Sequence, residues 1–164
     1  VSEDEVRQLY DRHGPALMLY ARTFVPDRAA AEDVVHGVFL KLLGGRAIAL
    51  QSPLAYLYRA VKNAALNAKR DRSREVPLLE EVAWLSRRNS EPEAVLALQQ
   101  GLQDLAEEQR EAVIMRIWSG MTLDEIAAAT GVPLNTIASR YRYALEKLYE
   151  RLKPYEKRAR SEDQ

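Results

Sequence analysis

The sequence predicts an all-α protein built as two small helical domains joined by a linker. Three observations point there. Apolar residues recur at three- and four-residue spacing along both halves, and no segment alternates strictly like a half-buried strand. Only 7 Gly and 7 Pro occur in 164 residues, while Ala, Leu, Glu and Arg abound, a mixture that favours helix. Between Glu75 and about Ala97 the periodicity fades, with Pro77, Pro92 and alternating charge in its place, as expected of a connecting segment.

The elements follow in chain order. Ser2 and Glu5 form a capping box for a first helix ending near Tyr10, and Gly14-Pro15 punctuates it. A second helix runs through Leu17, Tyr20, Ala21 and Phe24 to Pro26-Asp27. A third, from about Arg28 to Leu43, carries Val34, Val35, Val38, Phe39 and Leu42 and stops at Gly44-Gly45. Ser52-Pro53 supplies an N-cap and a first helical proline for a fourth, through Tyr56, Leu57, Ala60, Val61, Ala64 and Leu66. One helical turn is expected near Trp84. Helical spacing then returns with Leu96, Leu98, Leu102 and Leu105, and with Val113, Ile114 and Ile117 before Ser119-Gly120. The expected domains are 1–75 and 100–155, with an acidic linker at 76–99 and a charged tail at 156–164.

Composition removes several function classes. The chain has no Cys, and His13 and His36 stand without neighbours that would complete a metal set, so no disulfide, metal or other cofactor is expected. No nucleophile–base pair or phosphate loop is present, which argues against an enzyme, and no catalytic residue is assigned. No apolar run is long enough to span a bilayer and no signal-peptide pattern opens the sequence, so a cytoplasmic protein that does not insert into membranes, monomeric when free, is expected. The formal net charge is zero, but it is unevenly spread. Residues 51–74 hold six bases against one acid, and residues 75–111 hold nine acids against three bases. Charge acts within about 8 Å at physiological salt, so a basic block can attract nucleic acid in a neutral chain. Solvated helix faces are the alternative reading of the same pattern.

The most specific motif lies at residues 122–145. Thr122 and Glu125 form a second capping box, Ala127 is small where two helices must cross, Gly131 suits a left-handed turn, and Ile137 anchors the next helix. This spacing is that of a helix-turn-helix. Its second helix offers Asn135, Thr136, Ser139, Arg140, Arg142 and Tyr143, polar groups able to meet base edges or phosphates in a major groove. A hairpin used only for packing would explain the apolar positions but not this polar face.

Leu102 to Leu152 resembles region 4 of the extracytoplasmic-function sigma factors. The first unit resembles region 2 of the same family in the segments from Ala31 to Lys41 and from Ala55 to Asn63, the latter followed by the arginine cluster. The resemblance covers most of the chain in the family's order. It implies a helical bundle of region 2 type and a C-terminal helix-turn-helix, winged-helix-like, of region 4 type. It also implies a subunit that directs RNA polymerase core to promoters. Glu32, Asp33, Val34, Val38, Phe39 and Lys41 match the segment that docks on core polymerase, although Val34, Val38 and Phe39 are equally readable as core. Tyr56, Arg59, Lys62, Asn63, Asn67, Lys69 and Arg70 match the segment that opens the −10 element, with Tyr56 equally readable as core filler. Asn135, Thr136, Ser139, Arg140, Arg142 and Tyr143 would read the −35 element, and the acidic linker would thread toward the polymerase active site and RNA-exit channel. The expected partners are core polymerase, promoter DNA and an anti-sigma factor. His36-Gly37, Ala138 and Tyr143 depart from the family's usual residues, which keeps open a sigma-like mimic that captures an anti-sigma factor without driving transcription.

Overall fold

The computed structural model describes residues 2–44, 52–68, 81–82 and 92–162, with side chains through Tyr155. Seven helices and no strand occur among the described residues. Helix α1 spans Glu3–Ala21 and opens on the expected capping box: Ser2 Oγ accepts from the Glu5 amide at 3.2 Å, and Glu5 Oε2 accepts from the Ser2 amide at 2.7 Å. The expected break at Gly14-Pro15 does not occur, and the helix runs straight through it. Proline normally drives the residue before it out of the helical region through a clash with its Cβ, and Gly14 has no Cβ to clash. The lost backbone bond is outweighed by burial, since Leu17, Leu19 and Tyr20 on the next turn are at most 1% exposed.

Asp27 caps helix α2, Arg28–Leu43, by accepting from the Ala30 amide at 2.7 Å. Ser52 caps helix α3, Pro53–Ala68, accepting from Ala55 at 3.3 Å. The three helices pack pairwise around Val35, Val38, Leu57, Tyr58 and Val61. Tyr20 stands edge-on to Phe24 and Tyr58, with centroids 5.2 and 4.6 Å away, a favoured aromatic geometry. The turn expected near Trp84 lies outside the described residues. Of the linker, Glu81 and Val82 are described and helical. Val82 is fully buried, and Glu81 pairs with Arg22 at 3.1 Å, both side chains at most 7% exposed.

The second domain begins with α4, Pro92–Asp104, followed by α5, Glu107–Val113, which runs into a π-type turn at Ile114–Trp118. The Arg110 guanidinium donates to the carbonyls of Leu102, Gln103 and Leu105 at 2.8–3.2 Å. It thereby satisfies acceptors that the end of α4 leaves open and places a cation at the negative end of that helix. Helix α6 is Leu123–Thr130 and α7 is Leu134–Glu162. The charged tail expected from residue 156 continues α7 as far as Glu162. Gly101 lets α4 approach α7 closely, because a Cβ there would stand 2.8 Å from Leu148 Cδ2.

The two domains are in contact. One apolar cluster runs from Val6, Tyr20 and Tyr58 in the first to Ile114, Met115 and Ile126 in the second, with α1 against the π-type turn and α3 against α6.

Gly37 sits inside α2 at a point where an added Cβ would meet nothing within 4 Å. Gly37→Ala is therefore expected to raise the unfolding free energy by about 0.5–1 kcal/mol, read as a higher urea midpoint with an unchanged slope.

Candidate nucleic-acid interface

The helix-turn-helix is built from the bottom of its first turn. Thr122 Oγ1 accepts from the Glu125 amide at 3.1 Å, and Glu125 Oε1 accepts from the Thr122 amide at 3.0 Å. Gly131 ends α6 with φ +72°, its amide donating to the Ala127 carbonyl at 2.9 Å. The Pro133 carbonyl then accepts from Thr136 and Ile137 at 3.0 and 3.1 Å, starting α7 without a side-chain cap. Ile126, Ile137 and Ala144 are at most 2% exposed and seal the crossing. Ala129, rather than the half-buried Ala127, is the buried alanine of α6.

On α7 the six expected reading residues share one side. At 100° per residue they fall within an arc of about 160°, and Ile137, Ala144 and Leu148 occupy the other side. Asn135, Thr136, Arg142 and Tyr143 are exposed, whereas Ser139 and Arg140 are half-buried. The Ser139 hydroxyl donates to the Asn135 carbonyl at 3.0 Å. The Arg142 guanidinium lies 5.7 Å from the Tyr143 ring centroid.

A second polar stripe lies on α3. Tyr56, Arg59, Asn63 and Asn67 follow one another at helical spacing opposite the buried Leu57, Tyr58, Val61 and Ala65. Arg59, Asn63 and Asn67 are exposed, and Tyr56 is half-buried with its ring against the core. Lys62 is on the flank, half-buried, 5.6 Å from the Phe24 ring centroid. Lys69 and Arg70 lie outside the described residues. Two of these cations already have partners. Arg59 donates to the Ala128 and Ala129 carbonyls, both at 3.3 Å. Lys62 Nζ reaches both carboxylate oxygens of Glu111, at 3.0 and 3.2 Å. The Tyr20 hydroxyl also donates to Glu111, at 2.5 Å. Burial, reinforced by the Glu111 charge, pushes the Tyr20 hydroxyl pKa far above the phenolic range, and burial alone raises that of Tyr58. These groups border a cavity of about 340 Å³ between the domains, into which Asn63 and Thr130 also face.

The expected polymerase-docking stripe on α2 needs correction. Val34, Val38 and Phe39 are 4–6% exposed and belong to the core, because they face α1 and α3. Asp33 and Lys41 are exposed, and Glu32 is half-buried and paired with Arg28 at 3.1 Å. The outward apolar groups of this helix are Leu40 and Leu43, 66% and 49% exposed, and His36 Nε2 stands 3.0 Å from the Tyr10 hydroxyl. A helical projection opposite Val35 and Leu42 would have found Leu40 in the sequence. A further apolar groove, lined by Leu98, Ile117, Trp118, Leu145, Tyr149 and Leu152, was equally unmarked. Among the described residues no group of His, Cys, Asp and Glu is placed to hold a metal ion, and no helix is long and apolar enough to cross a membrane.

The profile of sigma-70 region 2 matches residues 9–75, and that of sigma-70 region 4 matches residues 96–148. The RNA polymerase sigma-E factor of Streptomyces avermitilis is 32% identical over 163 residues, covering 97% of this chain and 89% of the relative. The chain belongs to the extracytoplasmic-function sigma factors. The sigma factor CarQ of Myxococcus xanthus is 27% identical, over 92% of this chain and 91% of that protein. The extracytoplasmic-function sigma factor SigL of Mycobacterium tuberculosis is 27% identical, over 87% and 86%. Two solved structures share the fold. Sigma factor RpoE with the anti-sigma factor NepR of Bartonella quintana has a TM-score of 0.67 at 23% identity, covering 93% of this chain and 98% of that one. CnrH with the cytosolic domain of CnrY has a TM-score of 0.64 at 24% identity, covering 93% and 90%. As a sigma factor, the protein directs RNA polymerase to promoters.

In this sigma factor the left-handed Gly131 joins the two helices of the motif with no neighbour near its missing Cβ, so a substitution there is felt through the backbone. Gly131→Ala is expected to cost about 1–2 kcal/mol of unfolding free energy and to weaken duplex binding. Gly131→Asn, which tolerates the left-handed region, is expected to lose less of both, read by urea unfolding and fluorescence anisotropy.

Proposed function

We propose that the sigma factor divides promoter recognition between its two domains and contributes no catalytic group of its own. The first domain docks on core polymerase through the outer face of α2, which carries Glu32 and Asp33 in its first half and the exposed Leu40 beside Lys41 near its end. Exposed apolar side chains rimmed by charge are the usual chemistry of such an interface. The stripe Tyr56, Arg59, Lys62, Asn63 and Asn67 then takes the opened −10 strand, with the basic residues Lys69 and Arg70 following in the chain. Amides pair with unpaired base edges, aromatic rings stack on them, and cations hold the phosphates.

The second domain reads duplex −35 DNA by laying the start of α7 in the major groove, with Asn135, Thr136, Ser139 and Arg140 toward bases and Arg142 and Tyr143 toward the backbone. Two weak contacts joined through one polymerase act at high effective concentration, so neither need be strong alone. The work takes place in the cytoplasm. An anti-sigma factor is the further partner, a reading supported by the complexes of RpoE with NepR and of CnrH with CnrY.

One observation carries this division: the chain has two polar helix faces, on α3 and on α7, in different domains and each opposite a buried apolar line of its own helix. Purified core polymerase with this subunit is expected to start transcription specifically, and Asn63→Ala combined with Arg140→Ala to abolish that start while core still co-purifies. Persistence of wild-type initiation in the double variant contradicts the assignments. Arg142→Ala is expected to weaken duplex binding uniformly across sequences and to lower the salt slope by about 0.9, read from affinities at several salt concentrations.

A further inference from the structure

We propose that Gly37 determines which helix the outer face of α2 accepts: its missing side chain leaves a notch that seats a bulky apolar residue from a helix of core polymerase. The inference rests on the docking face assigned to α2 above. Glycine inside a helix is destabilising relative to alanine, so each one calls for a compensating reason. Three glycines lie within helices among the described residues. Gly14 stands before Pro15, and Gly101 lies where a Cβ would come within 2.8 Å of Leu148 Cδ2 on α7. Gly37 has no such reason. Its backbone is not left-handed, no proline follows it, and an added Cβ would meet nothing within 4 Å. The space it leaves is of use only to something outside the chain.

The surroundings of the notch define what fits there. Asp33 is one turn before Gly37, and Leu40 and Lys41 are one turn after it, so all three are its neighbours on the helix surface. At 100° per residue they fall within about 60° of it. All three are exposed, and Leu40, at 66%, is the most exposed large apolar side chain among the described residues. An apolar floor with an acid at one end and a base at the other suits a helix laid across it. That helix would seat an apolar residue on Gly37 against Leu40, with a cation toward Asp33 and a carboxylate toward Lys41. The opposite charges select its direction. Helix axes usually cross at about 8–10 Å, depending on the side chains between them, and a glycine at the crossing permits the short end of that range.

Gly37→Ala tests the notch cleanly, because the fold itself gains from the change. Its urea midpoint is expected to rise while its affinity for purified core polymerase falls about tenfold, and Gly37→Leu is expected to lose about a hundredfold. Both affinities are read by titrating labelled subunit with core. Stability and affinity moving in opposite directions is a result that a purely structural glycine does not give. Wild-type core affinity in Gly37→Leu overturns the proposal. Leu40→Glu, on the same face, checks the reading beneath it. Weakened core binding in Leu40→Glu with none in Gly37→Leu removes the notch and leaves the docking face standing. Unchanged core binding in Leu40→Glu removes the docking face and the notch with it. Self-association that Gly37→Leu abolishes, with core affinity kept, assigns the notch to a second copy of the chain and overturns the proposal as well.

Discussion

A single carboxylate sets how the two halves of this molecule meet. Glu111 is withdrawn from water, and its charge is matched by an ammonium from α3 and a phenol from α1. Low dielectric strengthens such contacts and makes their loss expensive. The aromatic rings of Tyr20, Phe24 and Tyr58 pack edge-on beside this pair. Separating the domains therefore exposes apolar surface and leaves charges to be rehydrated at the same time.

One rule of helix geometry shapes both polar faces. On α3 and on α7 an apolar line fixes the helix to its domain, and the opposite arc is left for polar groups. The arc on α7 begins just after a left-handed glycine, with Asn135 and Thr136 exposed on its first turn. The arc on α3 lies along the flank of the bundle and is seamed to the second domain.

Much of this was readable in the residues. Both capping boxes, the Ser52-Pro53 start of α3, the limits of α2 and the left turn at Gly131 follow from local chemistry, and the structure has each of them. Local rules failed where packing overrode them. Gly14-Pro15 looks like a stop, but the glycine removes the clash that a proline creates and the helix passes through. Val34, Val38 and Phe39 were legible as apolar but not as inward, because their direction depends on where α1 and α3 lie. Glu111 was the least legible of all: it stands among other acids on a short helix, and its partners are 49 and 91 residues away in the chain.

The central claim is that the two polar faces act on different parts of one promoter, and footprinting of the polymerase complex separates them. Arg140→Ala should lose protection of upstream duplex yet keep permanganate-reactive thymines on a template opened in advance near the start site. Asn63→Ala should keep the upstream protection and lose the reactive thymines on a closed template. Both variants losing both signals, or neither losing either, would contradict the account.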